Sequence, residues 1–272
     1  MPDDYSEFGV RLEVTGAVAT VTLCRPEVRN AQTPKMWAAL AEIGEALPAD
    51  VRVVVARGEG GSFSAGLDLA MFQPDGIPGD LSFARMLTHP DGEVDEMIAS
   101  FQEAFSWWRR PSLLTIAAVQ GHAVGAGFQL ALACDLRVLA DDAQLCMRET
   151  TLGLVPDLGG TQPLVEQVGY ARALEICVTG RWVGAAEARD LGLATIVVPA
   201  AELDATVVDL VSALLAAPAG ATTATKALLR SASRRAYDDQ LAAERAAQVK
   251  LLRANAQAST QASTQASETS ST

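Results

Sequence analysis

Apolar and polar residues alternate over residues 10–14 and 18–23, the period of a half-buried strand, and Thr15-Gly16 between them predicts a hairpin. From Thr33 the period changes. Trp37, Leu40, Ile43 and Leu47 recur at helical spacing behind a Thr33 N-cap, with Pro34 at the first helical position. Residues 52–56 (RVVVA) form a short apolar run of the kind that is buried on both sheet faces, and residues 113–119 read the same way. Residues 96–109 predict a helix with Met97, Phe101, Phe105 and Trp108 on one face as core. Leu136 and Val138 mark a further strand. Residues 165–178 then predict one helix, and residues 185–191 another that Gly192 stops. Residues 195–198 predict a last strand, followed by alanine-rich helices over 201–216, 222–231 and 238–255. Strands that alternate with helices in this way predict an α/β fold.

The pattern fails in two places. Residues 71–94 are rich in proline and glycine and weakly periodic, which predicts a mobile surface segment placed to serve as a lid. From Gln257 the chain reads QASTQASTQASETSST, a polar repeat without core-forming residues, which predicts a disordered tail over 257–272. Residues 1–199 are expected to form the core. Residues 200–256 carry apolar stripes with no strands left to cover, so they are expected to pack on neighbouring subunits.

Composition excludes several classes. Thirty-three acidic residues against 21 basic ones give a net charge of −12, which argues against nucleic acid and means that an anionic substrate must meet local positive charge. No apolar run approaches the roughly 18 residues of a membrane span. The start MPDDYSEFG lacks an apolar leader, and four cysteines (Cys24, Cys134, Cys146, Cys177) show no C-x-x-C spacing. These features predict buried thiols and a cytoplasmic protein. Two histidines, His89 and His122, leave little for a zinc site or a histidine-based triad, and no metal is expected.

The candidate chemistry lies where strands end in glycine. Gly121-His-Ala-Val-Gly125-Ala-Gly127 follows an apolar strand and opens a helix near Ala126. Gly58-Glu-Gly-Gly61-Ser-Phe-Ser-Ala65-Gly66-Leu67-Asp68-Leu69 is a second exit of the same kind. Glycine lets a ligand approach the backbone, and a helix N-terminus offers unpaired N–H groups and a positive dipole end. A negatively charged oxygen could be held there. Downstream, Gln129 sits on the first turn of an apolar helix, and Glu149 and Asp157 stand eight residues apart in a Gly/Pro-rich stretch. Buried carboxylates need a partner or a task. For Glu149 the structural alternative is an ion pair with Arg148 or Arg172, and for Asp157 it is a turn residue between Pro156 and Gly159.

Taken together, Arg25-Pro-x-x-x-Asn30-Ala31, Phe63-Ser-Ala65-Gly66-Leu67-Asp68-Leu69, Gly121-x-x-x-Gly125-Ala-Gly127 with Ala133-Cys134-Asp135, and Glu149-x-x-x-Gly153-Leu-Val-Pro156-Asp-Leu-Gly159-Gly160-Thr161 resemble the crotonase family, also called the enoyl-CoA hydratase/isomerase superfamily. The resemblance covers about residues 10–226. It implies a spiral of ββα units with a helical C-terminal region that drives trimers or dimers of trimers. It also implies an acyl-CoA thioester substrate, coenzyme A being part of the substrate and no separate cofactor being needed. The N–H groups of Leu67 and Ala126 would hold the thioester oxygen as an enolate forms.

Carried over further, the resemblance makes Glu149 the second of two family glutamates and puts Gln129 where the first belongs. An amide can hold water but takes up no proton at neutral pH. Asp157 repeats a spacing found in family isomerases, so double-bond isomerisation is expected slightly ahead of hydration. The family also implies coenzyme A contacts from Ala65, Gly66, Asp68, Leu69 and Gly125 and from basic residues near its phosphate, here Arg25, Arg29 and Lys226; Asp68 is expected to cap its own turn. Rival classes fit less well. Gly125-x-Gly127 meets Leu130 where a dinucleotide fingerprint has its third glycine, and Ser64 lies in Ser62-x-Ser64-x-Gly66, without the glycine that a hydrolase elbow has before its serine. An acyl-CoA-binding protein that has lost its chemistry stays open as the alternative, with Gln129 as its main support.

Overall fold

The computed structural model describes residues 5–73 and 75–269, with side chains up to residue 257. Its first element pair is the hairpin β1 (Val10–Thr15) and β2 (Val18–Leu23), in register from Val10 opposite Leu23 to Thr15 opposite Val18. Helix α1 (Pro34–Ala46) follows, with Thr33 Oγ1 accepting from Met36 N–H at 3.2 Å as the cap. Strand β3 (Val53–Gly58) lies parallel to β2. After it come α2 (Phe83–Met86), α3 (Asp91–Ser106), β4 (Leu114–Val119), β5 (His122–Val124) and α4 (Ala126–Ala133). Next in the chain are β6 (Leu136–Ala140), β7 (Gln144–Cys146), α5 (Thr161–Val168) and α6 (Tyr170–Thr179). Strand β8 (Val183–Gly184), α7 (Ala185–Asp190), β9 (Ile196–Val198) and α8 (Leu203–Ala216) complete this part.

Two sheets result. Six strands run in the order β1-β2-β3-β4-β6-β9, parallel from β2 onward, and three short strands run β5-β7-β8. The central strands β3 and β4 are buried on both faces, as their unbroken apolar runs predict. One side of the main sheet is filled by Met36, Leu40 and Ile43 of α1 and by Phe105 and Trp108 at the end of the α3 segment. Between β4 and β6, Asp135 and Thr115 exchange hydrogen bonds: Asp135 Oδ2 accepts from Thr115 N–H at 2.9 Å, and Asp135 N–H donates to Thr115 Oγ1 at 2.9 Å. Buried Arg137 donates to the carbonyls of Ala131 and Cys134, which closes the C-terminal end of α4.

The structure corrects several expected elements. The helix over residues 165–178 is two helices, because Gly169 has φ 73° and ψ 164°, outside helical geometry. Helix α3 begins at Asp91, earlier than its apolar face suggests, with Asp91 and Glu93 favouring the dipole of its first turn. Strands β5, β7 and β8 have two or three residues each, too short for a period-two pattern. Cys134 and Cys146 are buried while Cys24 and Cys177 are half-buried, and all four are free thiols.

By contacts the chain divides into two units, Met1–Leu214 and Leu215–Thr272. The second holds α9 (Ala219–Ala232) and α10 (Tyr237–Thr269). These pack on each other closely enough that a side chain on Gly220 would come within 3.3 Å of Leu251 Cδ2. The backbone of α10 continues as helix past Gln257, where the polar repeat predicts disorder; residues 270–272 lie outside the described residues. No single helix among the described residues is long and apolar enough to cross a membrane.

Candidate active site

Strand β5 brings the two glycine exits together. Ser64 N–H donates to His122 O at 2.9 Å, and Val124 N–H donates back to Ser64 O at 3.0 Å. The chain then turns at Gly66, whose φ is +82°, and a Cβ there would lie 2.3 Å from Val124 O and 3.4 Å from Ala126 N. Only glycine permits that approach. On its other side the turn pairs with Gln32: Gln32 N–H donates to Gly66 O at 2.7 Å and Asp68 N–H to Gln32 O at 2.8 Å. Because both flanking residues bond to Gln32, the N–H of Leu67 faces away from it. Among the described residues, neither Leu67 N–H nor Ala126 N–H donates to a backbone carbonyl. Ala126 is the first residue of α4, where helix geometry offers no partner.

Parallel pairing of β5 with β7, Val124 beside Cys146, carries the following turn to the same place. Glu149 opens that turn, a short 3-10 helix Glu149–Leu152, and is 8% exposed. Its Oε1 would be 3.3 Å from a Cβ on Gly125, the residue before Ala126. Gln129, 1% exposed, donates from Nε2 to Glu149 Oε1 at 2.6 Å. Its Oε1 accepts from Leu158 N–H at 2.9 Å and Gly160 N–H at 3.2 Å, which fixes which way the amide points. Glu149 Oε2 has no hydrogen-bond partner among the described residues. Burial pushes the Glu149 carboxyl above the ordinary value; hydrogen bonds from its own backbone N–H, from Gln129 and from the Arg148 backbone oppose this, and the charge of Asp157 adds to the rise. Burial also raises Asp157.

A cavity of about 500 Å³ joins these groups. Ala65, Leu67, Gly125, Ala126, Gln129, Glu149 and Asp157 all line it. Its remaining wall is mostly apolar, with Trp37 from α1, Phe101 from α3, and Met71, Phe83 and Met86 from the segment expected to form a lid. Pro74 of that segment lies outside the described residues.

The structure sorts the other predicted residues. Neither proposed partner pairs with Glu149: Arg148 donates to Gly180 O and lies over the Trp182 ring, and Arg172 pairs with Glu175. Arg25, expected near phosphate, is engaged within the fold. Its guanidinium donates to Asp68 Oδ2 at 3.1 Å and to Ala31 O at 2.7 Å, an ion pair internal to the fold. Asp68 Oδ1 caps its own turn by accepting from Ala70 N–H at 3.1 Å. Arg29 is exposed in left-handed backbone, and its carbonyl accepts from Ala65 N–H at 2.8 Å. Leu69 is exposed beside the cavity it lines, and Lys226 stands on α9 of the second unit. Among the described residues no His/Cys/Asp/Glu cluster could hold a metal.

Sequence reasoning gave no role to Gln32 or Ser64 and missed that Asn30, in left-handed backbone at φ 55°, ties Glu59 O and Ser62 O with its amide. Ser64 stands two residues before the turn glycine Gly66, which is a local signal; Gln32 and Asn30 have no glycine nearby in the sequence.

A family profile described as enoyl-CoA hydratase/isomerase matches residues 13–270. A Thermobifida fusca protein assigned as an enoyl-CoA hydratase, crystallised with acetoacetyl-CoA, is 52% identical; the superposition has a TM-score of 0.89 and covers 93% of this chain and 98% of that one. A Mycobacterium tuberculosis relative of the same assignment is 34% identical over 68% of this chain and 67% of its own length. A peroxisomal fatty acid beta-oxidation multifunctional protein of Arabidopsis thaliana is 35% identical over 71% of this chain, which spans only 25% of that longer protein.

Proposed function

The chain belongs to the enoyl-CoA hydratase/isomerase family, with its crotonase fold, and is an acyl-CoA enzyme of that family; from this premise we propose that it moves the double bond of an unsaturated acyl-CoA, ahead of adding water to it. In this reading the thioester oxygen lies between the N–H groups of Leu67 and Ala126. One such preorganised donor lowers the barrier by about 3 kcal/mol in comparable sites. Glu149 Oε2 removes a proton from the carbon next to the thioester, the resulting dienolate is held by the two amides, and a proton returns at the remote carbon. Asp157, on the same cavity, is the second carboxylate available for that return. Support for a CoA thioester comes from the Thermobifida fusca relative, seen with acetoacetyl-CoA and with CoA. Arg25 and Arg29 are the candidates for its phosphates, and assembly as a trimer or dimer of trimers belongs to the same proposal.

The observation that carries the preference is the Gln129 amide. Its oxygen is taken by two backbone N–H groups and one of its N–H groups by Glu149, so it takes up no proton at neutral pH and has no acceptor left for water. Hydration is the second reading, favoured by the names of the relatives, with Asp157 replacing the missing acid. Incubation with 2-enoyl- and 3-enoyl-CoA in heavy water, followed by mass spectrometry, separates them. Deuterium on carbon with no gain of water supports isomerisation, and gain of water as the main product overturns it.

A further inference from the structure

Ser64 lies between the two elements that carry the unbonded amides. Its hydroxyl donates its one proton to Asn30 O at 2.8 Å and accepts from Gly66 N–H at 3.1 Å, holding the turn that presents Leu67. On its other side is α4. A Cβ on Gly127 would lie 2.6 Å from Ser64 O and 2.7 Å from Ser64 Cβ, so the first turn of that helix rests directly on Ser64. The second lone pair of the hydroxyl is taken by Gln32 Nε2 at 3.1 Å, and Gln32 Oε1 accepts from Trp37 Nε1 at 2.8 Å. Both Ser64 and Gln32 are fully buried, and Trp37 is a wall of the cavity. Every group in this chain is committed: the indole can only donate, and the hydroxyl has no second proton. A polar chain so completely paired in a buried setting is stiff.

We propose that Ser64 and Gln32 are positioning residues that set the separation of the Leu67 and Ala126 amides and couple it to Trp37 in the acyl wall. The inference rests on the reading of those amides as the donors to the thioester oxygen. An acyl group pressing on Trp37 would then adjust the donor pair through three hydrogen bonds, Trp37–Gln32, Gln32–Ser64 and Gly66–Ser64, without any contact between Ser64 or Gln32 and substrate.

The test uses the full-length protein with hexanoyl-CoA, a saturated thioester that is not turned over, and isotope-edited infrared difference spectra of its carbonyl. Wild type is expected to shift the bound carbonyl to lower frequency. Ser64→Ala and Gln32→Leu should lose most of that shift while Kd for hexanoyl-CoA changes by less than about threefold, and kcat on an enoyl-CoA should fall by about tenfold or more. Trp37→Phe, which keeps the ring and removes one donor, should give a smaller loss and guards against a variant that fails to fold. Trp37→Phe combined with Gln32→Leu should be no worse than Gln32→Leu alone, as members of one chain are non-additive. Folded variants that keep the wild-type carbonyl shift, or additive effects, would overturn the coupling while leaving the donor pair intact. No shift in wild type would instead remove the donor pair, and this inference with it.

Discussion

Gln129 Nε2 stands 2.6 Å from Glu149 Oε1, while the same amide's oxygen receives the N–H groups of Leu158 and Gly160. This relationship assigns the two oxygens of Glu149 different tasks. Oε1 is held in place, and Oε2 has no hydrogen-bond partner among the described residues. A carboxyl fixed by one oxygen and buried to 8% exposure is a base with a defined direction.

Replacing Glu149 by Gln should therefore stop proton transfer without emptying the cavity. The amide has nearly the same shape but takes up no proton. Turnover of enoyl-CoA is expected to fall by about 100-fold or more, with Kd for hexanoyl-CoA little changed. Steady-state kinetics beside calorimetric titration checks this, and unchanged turnover would remove Glu149 from the mechanism.

The pH dependence follows from the raised Glu149 carboxyl. As a base it must be ionised, so the acid limb of kcat/KM should lie above the ordinary carboxylate range. The sign for stability is opposite to that of a paired surface carboxylate. The folded state holds this proton more tightly than the unfolded chain does, so stability falls as pH rises from the unfolded carboxylate value through the raised folded one, then levels off. Above that window Glu149→Gln should melt at a higher temperature than wild type. Thermal melts across the acid range read the difference directly.

Asp157 tests the second proton step. Its charge helps raise Glu149, so Asp157→Asn should move the acid limb of kcat/KM to lower pH. If it also returns the proton, deuterium incorporation at the remote carbon should fall by about tenfold or more, while exchange at the carbon beside the thioester persists. Equal loss at both carbons would assign both steps to Glu149.

Much of this arrangement was legible in the chain because it is local. The hairpin, Thr33 as a cap, the buried β3 and β4 and the helix opening at Ala126 each follow from a period or a turn residue. Gln129, Glu149 and Asp157 stood out as polar residues in apolar or glycine-rich surroundings, and the cavity brings all three together. What was hidden is non-local. Arg25 pairs with Asp68, 43 residues away, and that pairing needs the fold to exist. The Gln32–Ser64 hydrogen bond is hidden for the same reason: the two residues are 32 apart and meet only in the folded chain. Apolar spacing continues across Gly169 as in a helix, whereas its backbone conformation breaks the helix.

Gln129→Glu gives the sharpest test of why the reaction takes one course over the other. The new carboxylate would keep the N–H donors of Leu158 and Gly160, which favour its ionised form, and would face Glu149 Oε1 across the position of the present 2.6 Å contact. Two carboxylates that close share one proton and titrate as a pair, so the acid limb for isomerisation should move to higher pH. The shared proton also supplies the second acid that water addition lacks. Hydration of 2-enoyl-CoA is expected to rise by about tenfold or more over wild type, read as gain of water by mass spectrometry, while isomerisation at neutral pH falls. A variant that binds hexanoyl-CoA normally and gains no hydration would show that the amide at position 129 is not what turns the cavity away from water.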